Sequence, residues 1–117
     1  MSIIQLPQNQ LQQVKPLLIF DETFFPLAPA GLKQYLMTFQ VASLSLNLLI
    51  DKNTTIVASG LSPAGSNILY YNGALAANVS LHLEIGLTPM LLGINITNVD
   101  VANANVYIAL YGMQYVT

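Results

Sequence analysis

The chain closes on "NVYIALYGMQYVT", residues 105–117. Between Val106 and Tyr115 apolar side chains fall on both parities, with Val106, Ile108 and Leu110 on one and Tyr107, Ala109, Tyr111, Met113 and Tyr115 on the other. Successive side chains of a strand point to opposite faces, so this pattern describes a strand whose two faces are both covered. One set fills a core between sheets. The second set needs a cover outside that core, either the N-terminal arm of the same chain or another subunit. Tyr107, Tyr111 and Tyr115 share a face with Ala109 and Met113, a stripe about 25–30 Å long at roughly 3.3 Å per residue. Tyrosine and methionine suit an interface, because the ring packs while the hydroxyl still finds a partner.

Working back from this stretch, the period-two pattern recurs. Val79, Leu81, Leu83 and Ile85 alternate with Ser80, His82 and Glu84, and the first set is expected to point inward. Met90 to Thr97 reads as a strand with Ile94 and Ile96 set against Asn95 and Thr97. Earlier, Tyr35, Met37, Phe39 and Val41 alternate with Gln34, Leu36, Thr38 and Gln40, as do Leu44, Leu46 and Leu48 with Ser43, Ser45 and Asn47. "DKN" at 51–53 reads as a turn into a short β-branched strand, Thr54 to Ser59, and Asn72-Gly73 as a type I′ hairpin turn. "GLSPAGSN", "GLTP" and "NVDVANAN" read as loops. "DETFFPLAPAGL", residues 21–32, is expected to be a loop pinned by Phe24 and Phe25 to the core or to a neighbour.

Six to eight short strands with no sustained helical period after residue 20 predict an all-β fold, an antiparallel sandwich of jelly-roll type. Residues 1–20 form an N-terminal arm in this reading, and residues 21–117 the β-sandwich domain. At 117 residues the chain is large enough for one core without a metal or disulfide staple.

Composition narrows the function. The sequence is 54% hydrophobic but only 7% charged, against about 25% in an ordinary soluble domain. Asn, Gln, Ser and Thr take the place of ions, and such groups enter a contact without ion desolvation. A net charge of −2, with only Lys15, Lys33 and Lys52 as cations, builds no phosphate-neutralising patch and argues against direct nucleic-acid binding. With no cysteine there is neither a disulfide nor a thiolate metal site. "MSIIQLPQNQLQQ" lacks the basic and apolar regions of a secretory signal, and no stretch of about 20 residues is continuously apolar, so no membrane span is expected.

Few residues offer catalytic chemistry. His82 and Glu84 share a strand face and could begin a metal or acid–base site, but a solvated strand face accounts for the pair without a third ligand. Asp21-Glu22 reads as a turn-capping or solvated pair. No GxGxxG, P-loop, GxSxG or HExxH spacing occurs. The reading is therefore of no enzyme, with no catalytic, cofactor-binding or metal-binding residues. Three N-x-S/T sequons, at Asn53, Asn78 and Asn95, are glycosylation candidates.

A β-rich chain of about eight strands, low in charge, rich in Asn and closing on "NANVYIALYGMQYV" (103–116), resembles the small jelly-roll capsid proteins of icosahedral viruses, including those infecting archaea in hot acidic water. The resemblance covers the strand pattern from about residue 34 onward and rests on no diagnostic motif. It implies a virion protein, a capsid or minor capsid/turret subunit, that packs against itself as a homo-oligomer and against other capsid proteins. Tyr107, Tyr111, Met113, Tyr115, Phe24 and Phe25 are its expected interface residues. So few ionisable groups imply that such an assembly changes little between about pH 3 and 7. Two other classes fit the pattern: an extracellular or cell-surface filament subunit donating residues 1–18 as a strand, and a carbohydrate-binding sandwich using Tyr70, Tyr71 or the terminal tyrosines.

Overall fold

Among the described residues eight strands form two four-stranded antiparallel sheets. The computed structural model describes residues 14–38, 43–62, 64–85 and 91–115, with the side chains of 14–16 and 113–115 outside that description. The strands are β1 (Val14–Leu27), β2 (Leu32–Met37), β3 (Ser43–Ile50), β4 (Thr54–Leu61), β5 (Asn67–Leu75), β6 (Leu81–Ile85), β7 (Leu91–Asn98) and β8 (Ala104–Tyr115). Sheet A has the order β1-β8-β3-β6 and sheet B the order β2-β7-β4-β5. This interleaving, with each odd strand followed by a partner in the opposite sheet, is the connectivity of a jelly roll, and the chain is a β-sandwich.

The core follows from period two. Leu44, Leu46, Leu48 and Ile50 of β3 and Val106, Ile108 and Leu110 of β8 point inward from sheet A, and Ile56, Leu92, Ile94 and Ile96 meet them from sheet B. Ile85 is buried with them, while Leu81 and Leu83 are half-buried at the sheet edge.

Several expectations are corrected. Residues 21–27 are strand, not loop: β1 runs unbroken across residue 20, and only residues 28–31 turn. Prolines 16 and 26 are tolerated because β1 is an edge strand with a partner on one side only. In the turn, a Cβ on Gly31 would sit 2.7 Å from the Ala28 carbonyl oxygen, so only glycine fits. Asn72-Gly73 is not a hairpin turn either. Both lie within β5, opposite Val57 and Ile56, and the Tyr71 ring leans over the space a side chain at Gly73 would take. Val79 precedes β6 and is exposed rather than inward. Phe39 and Val41 lie outside the described residues.

Four turns cross between the sheets at one end of the sandwich, and short polar side chains tie them together. Asn53 Oδ1 accepts the Ala77 N–H (3.0 Å), Asp51 Oδ1 accepts that of Asn105 (2.8 Å), and Asp100 Oδ2 accepts that of Asn53 (3.2 Å). Asn98, fully buried at the end of β7, donates through Nδ2 to the carbonyls of Leu27 and Ala102, both at 2.8 Å.

Candidate assembly surface

The register of sheet A fixes which residues share its outer face, because directly opposed residues point the same way. Tyr111 lies between Leu18 and Ser45, Ala109 between Asp21 and Asn47, and Tyr107 between Thr23 and Leu49. A bulge between Leu18 and Phe20 brings both Leu18 and Asp21 onto this face. Leu18, Leu49, Tyr107 and Tyr111 are 51%, 42%, 40% and 38% exposed, and they form an aromatic and aliphatic ridge across β1, β8 and β3. Ala109, between the two rings, is buried although it is on the outer face.

The expected tyrosine stripe is therefore present at Tyr107 and Tyr111, while the side chains of Met113 and Tyr115 lie outside the described set. The described part of the chain's own arm, residues 14–20, does not roof it. Val14–Leu18 pair edge to edge with Tyr115–Tyr111, extending sheet A sideways instead of crossing its face, and residues 1–13 lie outside the described residues. Phe24 and Phe25 part company: Phe24 packs inward against the core, which removes it from an outer interface, and Phe25 is exposed.

Beside the ridge is a polar patch the sequence only half announced. His82 Nε2 lies 2.6 Å from Glu84 Oε1, and His82 Nδ1 lies 2.6 Å from Asn47 Oδ1. Ser45 donates to Glu84 Oε1 at 3.1 Å. Both ring nitrogens face oxygens, which suits the imidazolium, or a neutral ring with the Asn47 amide turned to donate. The hydrogen bond from His82, and then that from Ser45, holds the Glu84 carboxyl below its usual range. Among the described residues no three His, Cys, Asp or Glu side chains gather as metal ligands.

An open groove of about 530 Å³ at the turn-bearing end is lined by Pro29, Ala30, Thr97, Asn98, Val99, Asp100 and Val101. Asn98 and Asp100 direct their polar atoms to backbone partners, which leaves the Thr97 hydroxyl as the other polar side chain of this lining.

Of the sequons, Asn53 and Asn78 are exposed in turns. Asn53 Oδ1 is engaged by Ala77, and Asn78 has φ +62°, a conformation asparagine tolerates. Asn95 is half-buried, and its Oδ1 is enclosed without a hydrogen-bond partner.

The open side of the sandwich, between β1 and β2, is closed by charge. Tyr35 donates its hydroxyl to Glu22 Oε1 (3.0 Å), and Lys33 Nζ lies 3.7 Å from the same oxygen. Lys33 Nζ also stands 4.3 Å from the Phe24 ring centroid, and Phe20 meets Tyr35 edge-on at 5.7 Å. Burial, and then the Glu22 carboxylate, push the Tyr35 phenol far above its ordinary value. The unfolded phenol ionises near pH 10 while the folded one keeps its proton, so this contribution is whole below about pH 10 and is lost as pH rises further. Glu84 and Asp100 act at the other extreme. Their folded carboxyls are held low, Asp100 first by the Val101 N–H and then by that of Asn53, so their small, exposed contributions disappear only as pH falls below about 4. The thermal midpoint of the folded chain, followed by circular dichroism, is therefore expected to be flat between about pH 5 and 9 and to fall above about pH 10. Tyr35→Phe should remove most of the alkaline fall. A midpoint sloping steeply across the middle range would contradict this assignment.

No family model and no curated protein matches the chain. Among solved structures it is similar to the crystal structure of PirA, with a TM-score of 0.48 and 16% identity, over 83% of this chain and 92% of that one. The fold rests on the strand order, not on this likeness. No helix among the described residues is long and apolar enough to cross a membrane.

Proposed function

We propose that the chain is a structural protein of a virion, a capsid or minor capsid/turret subunit. It packs against copies of itself and against other capsid proteins through a charge-poor outer face. The observation that carries this reading is the exposed ridge of Leu18, Tyr111, Tyr107 and Leu49 on sheet A, an apolar and aromatic surface with the single carboxylate of Asp21 within it. Jelly-roll sandwiches are a common architecture of shell subunits, and a 7% charged composition suits surfaces meant to touch. The reading includes no catalysis, cofactor or direct nucleic-acid contact. Donation of residues 1–18 to a filament neighbour is less well supported, because Val14–Leu18 already pair with the chain's own β8.

Size-exclusion chromatography with light scattering, backed by electron microscopy, tests the reading. The native chain should form particles or capsomers. Tyr107→Lys with Tyr111→Lys, which sets like charges against each other in the contact, should cut the assembled fraction at least about tenfold. Assembly indifferent to both substitutions would refute it. One observation favours a carbohydrate-binding role as the second reading: the two tyrosines stand beside the Ser45, Glu84, His82 and Asn47 hydrogen-bonding groups. Glycan binding by a monomer would decide for it.

A further inference from the structure

The two sheets have four edges, β1 and β6 in sheet A, β2 and β5 in sheet B. An edge strand leaves a row of N–H and C=O groups unpaired, and proteins blunt such rows with charge or proline. Three of these edges are blunted in that way. β1 contains Lys15, Pro16, Asp21, Glu22 and Pro26, β2 contains Lys33, and the five residues of β6 include His82 and Glu84. β5 differs: "NILYYNGAL", Asn67–Leu75, holds neither a charge nor a proline in nine residues.

Among the described residues β5 is hydrogen-bonded to β4 alone, from Asn67 opposite Leu61 to Leu75 opposite Thr54. Two of its apolar side chains are bare, Leu69 at 61% exposed and Ile68 also exposed, while Leu75 is buried and Tyr70 and Tyr71 pack against the core. A bulge at Tyr70 adds local twist, which turns part of the edge, and it brings neither a charge nor a proline to the strand. The Tyr71 hydroxyl donates to the Ala74 carbonyl at 3.0 Å, so local closure is confined to the strand's last residues.

We infer that β5 pairs antiparallel with β5 of a second copy about a two-fold axis, joining two B sheets into one continuous sheet of eight strands. A second copy fits this edge better than a charged segment of another protein, for which β5 has no counter-charge. Self-pairing opposes one neutral strand to another, so no ions are desolvated and no like charges meet within the strands. Ile68 and Leu69 of each copy supply apolar contact around the new ladder. This edge is separate from the tyrosine ridge on sheet A, and the inference stands whether or not that ridge builds a shell.

The test uses the full chain carrying Tyr107→Lys and Tyr111→Lys, so that assembly through the ridge is removed and only edge pairing remains. Light scattering should give about twice the 12.7 kDa chain mass at high concentration. Adding Leu69→Lys should lower the dimer fraction at least about tenfold. Leu36→Lys, an exposed position on the same face of sheet B but on the opposite edge, should leave the dimer intact. Circular dichroism confirms folding of each variant, and Asn72→Lys, also exposed on β5, replaces Leu69→Lys if the latter fails to fold. A ridge variant that is monomeric at every concentration would overturn the inference, as would a dimer unmoved by a folded lysine variant of β5. If the ridge substitutions leave large particles intact, the shell reading fails. Edge pairing is then judged by whether Leu69→Lys breaks those particles into smaller species.

Discussion

Asn98→Ala is expected to cost about 3 kcal/mol of stability, and Asn98→Asp more than that at neutral pH. The side chain is fully buried and every polar atom is used. Nδ2 donates to the carbonyls of Leu27 and Ala102 (both 2.8 Å), and Oδ1 accepts the Asp100 N–H at 2.9 Å. Its backbone completes the knot, donating to Gly31 O at 3.0 Å and accepting from Ala30 N at 2.8 Å. Alanine would strand two carbonyls and one N–H, each costing about 1–3 kcal/mol where water cannot reach, with partial relaxation bringing the sum down. Aspartate is worse because a buried carboxylate would face two carbonyl oxygens. It would fold protonated, with a raised pKa, so this variant should regain stability as pH falls and lose it as pH rises, the reverse of the native carboxylates. Urea denaturation at pH 7 and at pH 4 measures both. A loss under about 1 kcal/mol for alanine would mean that water or a shifted loop replaces the lost bonds.

The second large effect separates two neighbours. Leu48→Ala should cost about 3 kcal/mol, whereas Leu49→Ala should cost less than about 1. Leu48 is 1% exposed between the sheets, and Leu49 is on the outer face opposite Tyr107. On the proposed assembly reading the order should reverse when assembly is the readout, since Leu49 belongs to the ridge and Leu48 does not. Equal losses in chemical denaturation would mean that the outer face is already covered within one chain.

That one-residue contrast explains what was legible in the sequence. Parity alone separates Val106, Ile108 and Leu110 from Tyr107, Ala109 and Tyr111, and it marks Ile94 and Ile96 as inward, because alternation is a local property of strands. Extending it by two residues would have placed Asn98 inside. In the sequence the residue reads as loop, since asparagine is a turn former, and its burial depends on carbonyls at Leu27 and Ala102 brought in by other segments. Asn72-Gly73 failed for a related reason: the dipeptide permits a tight turn, but the ladder to β4 and the Tyr71 ring hold it extended. β1 was hidden by its prolines, which forbid a central strand but not an edge. The His82–Glu84 pair was visible at spacing two. Asn47 and Ser45 were not, because they reach it from another strand, 35 and 39 residues away.

The pairing of Val14 with Tyr115 has a consequence for polarity. Val14 and Tyr115, the first and last described residues, therefore mark one pole, and the Asn98 knot occupies the other. If such units pack in a curved layer, as the proposed shell would require, the pole of Val14 and Tyr115 would face one side and the knotted pole consistently the other. Handedness between inside and outside would thus be written into each unit before any neighbour arrives.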